Sequence, residues 1–139
     1  DYARSDFIED NMLTRMLVNK KRGALSEKDV TTAADVIRRK VLVGLMSDIG
    51  KSLDRFERFF EWQFHDTRVQ EECRQNLLTF GGNANKMKAE KPERGSATYE
   101  ALAAKNRFDI RLYSYIQKVF DEQECFVQSK PNDYRLLPP

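Results

Sequence analysis

The stretch VLVGLMSDIGKS, residues 41–52, decides how the chain is read. An apolar run leads to Gly44, a polar turn, and Gly50-Lys51-Ser52 ahead of an amphipathic segment. That is the outline of a strand, a phosphate loop and a helix. The phosphate loop fails on spacing. Its pattern puts four residues between the first glycine and the Gly-Lys pair, and here five separate Gly44 from Gly50. Such a loop wraps backbone N–H groups around an anion, so a surplus residue changes which of them point inward. Leu45, Met46 and Ile49 are also bulky where a phosphate would approach the main chain. Ile49, Leu53, Phe56 and Phe60 recur at helical spacing and predict a helix ending near Trp62. Gly50-Lys51-Ser52 then form its first turn, with Ser47 or Asp48 as N-cap. A P-loop kinase or NTPase is disfavoured on these grounds. Val41–Leu45, apolar on both parities, predicts a buried strand. A lone strand needs neighbours for its backbone groups, and no other segment clearly supplies one.

Outward from this stretch the signals are helical. Ile8, Met12, Leu13, Met16 and Leu17 predict a helix over residues 6–19, ended by the basic NKKRG. Ser26 with Asp29 resembles a capping box, opening a helix over 27–39 with Val30, Ala33, Ala34 and Ile37 inward. Residues 68–80 suggest a helix with Val69, Cys73 and Leu77 inward. Residues 81–96 read as a loop. Ser96 would cap a short helix holding Tyr99, Leu102 and Ala103. Asn106, with Asp109 three residues on, would cap the last helix, lined by Leu112, Tyr113, Ile116, Val119 and Phe120 to about residue 124. Residues 126–139 read as an irregular tail.

The chain has 139 residues, enough for one ordinary domain. Hydrophobic residues make up 40% and charged residues 33%, which suits a helix-rich globular chain. A net charge of +2 gives no nucleic-acid-binding signature. No apolar run approaches the roughly 20 residues that span a bilayer, and no signal peptide is evident. The chain opens on Asp1 rather than Met and reads as a fragment of a longer protein. Cys73 and Cys125 have no metal spacing, and with a single histidine, His65, no metal is expected. The two cysteines read as semi-buried free thiols, or as a disulfide in an oxidising compartment.

Four stretches, in order, carry a resemblance. Asn11, Thr14, Arg15 and Leu17 fit N-x-x-T-R-x-L. The capped helix of LSEKDVTTAADVIRRK follows. Val41–Leu45 then leads to Ser52, Leu53, Arg55, Phe56, Glu57, Phe59, Phe60 and Trp62. Last come Gly95, Ser96, Tyr99, Asn106, Asp109, Leu112 and Tyr113. Together, over residues 6–125, they resemble the C-terminal half of a P-loop-like sulfotransferase domain, in the branch related to carbohydrate 2-O-sulfotransferases. The resemblance implies an α/β fold with three layers, of which residues 1–125 would be the C-terminal portion, mostly helical with one buried strand at 41–45. It implies 3′-phosphoadenosine 5′-phosphosulfate as sulfuryl donor and a hydroxyl acceptor, possible carbohydrates included. For eukaryotic members it implies a type II membrane protein of the Golgi lumen. The family's phosphosulfate-binding loop, its 3′-phosphate-binding Arg–Ser pair and its catalytic base match nothing here and would lie upstream of Asp1.

Sulfuryl transfer needs cations and N–H donors around anionic oxygens. The basic loop with Lys86, Lys88, Lys91 and Arg94, running into Gly95-Ser96 and a helix start, is the candidate donor contact; its plain alternative is a solvated loop. Asn11 and Arg15, one helical turn apart, with Thr14 a step round, are the candidate acceptor contacts; their plain alternative is a structural polar cluster. His65 has no acidic partner at an evident spacing, which disfavours it as a general base. The competing class is a non-catalytic helical interaction module presenting the aromatic residues around Phe56–Trp62.

Overall fold

The computed structural model describes residues 9–62, 66–80 and 91–128, with backbone alone at 78–80, 126 and 128. These residues form α1 (Met12–Leu17), α2 (Glu27–Lys40), α3 (Ile49–Phe59), α4 (Thr67–Phe80), α5 (Ala97–Lys105) and α6 (Arg107–Gln128). A 3-10 turn at Met46–Asp48 leads into α3. The described residues fall into two compact units, the first within Asp1–Val41 and Glu90–Val119, the second within Leu42–Ala89 and Phe120–Pro139.

In the first unit α2 starts where the sequence marks it. The Asp29 carboxylate accepts from the Ser26 N–H at 2.7 Å and from its hydroxyl at 2.8 Å. Val30, Ala33 and Ile37 are buried, one per turn, as the periodicity requires. Phe108, Leu112 and Val119 bury the matching stripe of α6, while Tyr113 turns outward. α1 departs from expectation. Its apolar residues Met12, Leu13 and Met16 are exposed, and the buried side chain is Thr14. A helix of six residues is too short to be held by an apolar stripe; polar bonds at its first turn hold it instead. α6 runs to Gln128, so residues 126–128 are helical rather than part of an irregular tail; residues 129–139 lie outside the described residues.

In the second unit the expected strand is replaced. Among the described residues there is no strand, and they are mostly helical, as expected of this portion of the chain. Val41–Leu45 is extended at both ends, with φ/ψ of −123°/124° at Val41 and −111°/128° at Leu45. Only one parity is buried, through Val43 and Leu45. Side chains stand in for a neighbouring strand on that side. The Val43 N–H donates to Gln123 Oε1 at 2.9 Å, and Arg55 Nη1 donates to the Val43 carbonyl at 3.3 Å. The Leu45 N–H donates to Ser52 Oγ at 2.8 Å, while the Ser52 hydroxyl faces the carbonyls of Leu45 at 3.0 Å and Asp48 at 2.7 Å.

Those bonds set the face that α3 turns inward. Ser52 and Arg55 are its buried residues, Phe56 and Phe59 flank them, and Phe60 is exposed. The inward face is therefore one step round from the predicted stripe. α4 is reversed in the same sense. Val69, Cys73 and Leu77 face solvent, and the helix is tied by its polar side, where Arg74 donates to Asp54 at 2.5 Å and to Glu57 at 2.8 Å. These bonds, first of all the one to Asp54, raise the Arg74 pKa above its ordinary value.

Gly44 is required by close approach. A Cβ there would stand 2.5 Å from Phe56 Cζ and 3.3 Å from Ser52 Cβ. Gly44→Ala is expected to displace the Phe56 ring and to lower stability by about 1–3 kcal/mol in denaturant unfolding, the range for overpacked sites. An unchanged midpoint would mean the ring yields freely.

Candidate functional site

The densest polar constellation joins the start of α1 to the α5–α6 corner, within the first unit. Asn11 adopts the left-handed conformation (φ 46°, ψ 47°), which asparagine tolerates better than most residues. Its side-chain oxygen accepts from the N–H groups of Phe108 at 2.8 Å and Asp109 at 3.2 Å, capping α6. Its amide nitrogen donates to the Lys105 carbonyl at 2.8 Å and to Asp10 at 2.9 Å. Its own N–H donates to Asn106 Oδ1 at 3.0 Å. The Asp109 carboxylate returns the arrangement. It accepts from the N–H groups of Leu13 and Thr14, both at 2.8 Å, and from the Thr14 hydroxyl at 2.6 Å, so it caps α1. Each helix start is thus capped by a side chain from the start of the other.

Arg15 completes the cluster. Its guanidinium grips Asp10 at 2.8 and 2.9 Å and donates to the carbonyls of Lys20 at 3.2 Å and Gly23 at 3.1 Å. Burial pushes the Asp10 pKa up, but the bonds from Asn11 and Arg15 outweigh it and hold the carboxyl below its ordinary value. The three expected acceptor contacts, Asn11, Thr14 and Arg15, therefore stand together, with their polar groups engaged inside the fold. Asp10, five residues before Arg15, had no helical spacing to mark it.

The expected donor contacts fall elsewhere. Arg94 is exposed and makes no bond among the described residues. Gly95 is left-handed (φ 85°), and Ser96 caps α5 by accepting from the Tyr99 N–H at 3.2 Å. Lys86 and Lys88 lie outside the described residues, as does His65. A guanidinium beside a helix start suits an anionic oxygen, although Ser96 already caps this one and Glu93 and Glu100 stand close in sequence.

A second cluster, on α3 and α6 within the second unit, was visible only as the spacing of Lys51 and Arg55. Arg55, 2% exposed, lies 3.7 Å from the Phe120 ring centroid and donates to Glu124 at 2.8 Å. Lys51 Nζ reaches the same carboxylate at 3.4 Å. Lys51 is thus an ion-pair partner on a helix, and its N–H faces Asp48 Oδ1 at 3.4 Å. No phosphate loop exists at this position. Cys73 and Cys125 are both free and exposed, so neither is the semi-buried thiol expected. Among the described residues no three His, Cys, Asp or Glu side chains converge as a metal site, and no helix is long and apolar enough to cross a membrane.

Comparisons with protein-family models, with curated proteins and with solved structures each find no match for this chain.

Asn11→Ala removes the α6 cap and leaves buried groups unpaired, so it is expected to cost about 2 kcal/mol by denaturant unfolding. A loss within a few tenths would remove the cluster from its structural role. A second outcome concerns Asp29. The Lys20 ammonium, at 3.0 Å, and the Ser26 bonds lower its pKa from 3.8 to about 2. A carboxyl depressed in the folded state stabilises above its unfolded value, and that contribution is lost as pH falls from about 4 through 2. Lys20→Met is expected to move the Asp29 midpoint upward in a carboxyl-carbon NMR titration. No movement would mean that Ser26 alone sets it.

Proposed function

We propose that these residues are the C-terminal portion of a P-loop-like α/β sulfotransferase domain. It would transfer a sulfuryl group from 3′-phosphoadenosine 5′-phosphosulfate to a hydroxyl acceptor, with carbohydrate hydroxyls among the candidates. The observation that supports the reading best is the mutual capping at Asn11, Thr14, Asn106 and Asp109. These residues come from the first and last of the four resembling stretches, far apart in sequence, and they mate atom for atom. Chance capping signals have no reason to be partners; residues that define one architectural joint do.

In this proposal Asn11, Thr14 and Arg15 are positioning residues. They fix the corner where α5 ends, and α5 is nine residues long, about 13 Å at the rise of an α-helix. Its other end presents Arg94, Gly95 and Ser96. Arg94, with Lys86 and Lys88, would hold anionic oxygens of the donor's 3′-phosphate, supplying charge and orientation. The phosphosulfate loop and the catalytic base would come from the full-length protein, and a Golgi location would follow the family. A helical interaction module is the second reading. It is favoured by the exposed Phe60–Trp62 stack, with centroids 5.3 Å apart, and by the outward Val69, Cys73 and Leu77.

Calorimetric titration of adenosine 3′,5′-bisphosphate into the full-length protein tests the proposal. Binding is expected, and Arg94→Ala is expected to weaken it about tenfold, the value of one charge-assisted contact. Unchanged affinity in the variant would remove Arg94 from the donor site. Absence of binding by the parent protein would remove the transferase reading and leave the module.

A further inference from the structure

Two runs of three basic residues occur in the first unit, Lys20-Lys21-Arg22 and Arg38-Arg39-Lys40. Lys21, Arg22, Arg38, Arg39 and Lys40 are all exposed, so exposure does not separate the runs. The main chain does. Arg38, Arg39 and Lys40 form the last turn of α2, and helical bonding continues past them, with the Val41 N–H donating to the Ile37 carbonyl at 3.2 Å. Residues 20–25 belong to no helix. Among the described residues, Lys21 and Arg22 make no hydrogen bond or ion pair, by main chain or side chain. The base of their loop is held from one point. Arg15 Nη1 donates to the carbonyls of Lys20 at 3.2 Å and Gly23 at 3.1 Å, and Lys20 Nζ donates to Asp29 at 3.0 Å. Asn19 (φ 51°) and Gly23 (φ 86°) turn the chain left-handed on either side. Lys21 and Arg22 are the tip, followed by the small, exposed Gly23 and Ala24. Proteolytic nicking concentrates at exposed loop tips of polar and small residues. Main chain bonded in a helix must open before a protease holds it.

We propose that the Arg22–Gly23 peptide bond is a processing site for an endoprotease that reads paired basic residues, and that the cut protein stays assembled. Water is the other reactant. The bond between the Arg22 carbonyl carbon and the Gly23 nitrogen breaks. The carbon takes the water's hydroxyl and ends as a carboxylate, and the nitrogen takes the protons and becomes the ammonium of a new chain end. The contacts that hold α1 in the first unit do not pass through this bond. Asn11 bonds the Lys105 carbonyl and caps α6, Asp109 caps α1, Lys20 pairs with Asp29, and Arg15 bonds the Gly23 carbonyl. Each of these joins a residue before the cut to one after it. The inference is independent of the sulfotransferase reading.

Digestion of the native full-length protein with a subtilisin-type endoprotease that cleaves after Lys-Arg and Arg-Arg tests both parts. Mass spectrometry is expected to find a new N-terminus at Gly23, with cleavage after Arg39 slower by about tenfold or more. In a synthetic peptide of residues 18–42, too short to keep α2 helical without its partners, the two cuts are expected to proceed at similar rates. The cut protein is expected to elute from a native sizing column with the uncut protein and to part into two chains only in denaturant. Arg22→Gln changes an exposed residue that makes no bond, so it is expected to keep the parent melting temperature and to abolish this cut. Arg39→Gln is expected to leave the cut unchanged. Cleavage after Arg39 as fast as after Arg22 in the native protein would overturn the proposal. So would an Arg22–Gly23 bond that stays intact in the native protein while the peptide is cut there. Two chains that part on the native column would overturn its second half, because the α1 contacts would then fail without the covalent connection.

Discussion

A buried amide cannot be left unpaired without cost, and Asn11 meets that constraint in a way that organises the first unit. Its side chain has one acceptor oxygen and two donor hydrogens, and all of them are engaged. The partners lie far apart in sequence: the approach to α1 on one side, and on the other the corner where the last carbonyl of α5 meets the first N–H groups of α6, which Asp109 ties to α1 as well. The left-handed backbone at Asn11 is part of the same requirement, because it turns the side chain toward α6 while its N–H meets Asn106. α1 alone would not persist at six residues. It exists because Asp109 takes up two of the N–H groups that its first turn leaves over.

The second unit satisfies the same rule with different groups. Val43 and Leu45 are buried, and Leu45 is extended, so their backbone groups need partners that a sheet would ordinarily provide. A serine, a glutamine and an arginine provide them. Arg55 bears most of this burden, bonding the Val43 carbonyl and Glu124 while stacked on Phe120. A planar guanidinium suits that combination of fork and face. Its Nε is buried and unpaired among the described residues, so part of the desolvation cost stays uncompensated. Buried ion pairs of this kind bring little net stability, yet losing one partner strands the other charge. Arg55 is better understood as fixing where the extended segment lies than as strengthening the fold.

Helix positions were legible where local chemistry marked them. Ser26 with Asp29 and Ser96 cap the helices they open, and α2 buries the stripe its periodicity predicts; Asn106 marks the start of α6 but does not cap it, because its side chain bonds Asn11 and Leu102 while Asn11 caps α6 and Asp109 caps α1. What failed was the choice of inward face on α1, α3 and α4. The rule that apolar residues turn inward misjudged all three, because their placement is set by polar bonds to distant partners. Thr14 goes inward to reach Asp109, Ser52 and Arg55 to reach residues 43–45, and Arg74 to reach Asp54 and Glu57. Periodicity contains no information about such partners. The strand at 41–45 failed for a related reason: extended conformation is a local property, whereas a ladder needs a second segment, and the side chains of α3 and α6 took that place on one side.

The polar cluster also changes which residues can do chemistry. Asn11, Thr14 and Arg15 have the appearance of a binding triad, and their donors and acceptors are saturated by the fold. A group that must meet a ligand has to have capacity to spare, or must break bonds that the fold depends on. By that criterion Arg94 is the stronger candidate, since its guanidinium makes no bond among the described residues and stands beside a helix start. Arg94 lies on a turn and gains orientation only from what anchors α5. Positioning to within a fraction of an ångström is what separates a useful cation from a solvated one in group transfer. In the sulfotransferase proposal, the saturated cluster at one end of α5 and the unsaturated arginine at the other would be two halves of that requirement: the first would hold the helix still, and the second would have the bonds to give.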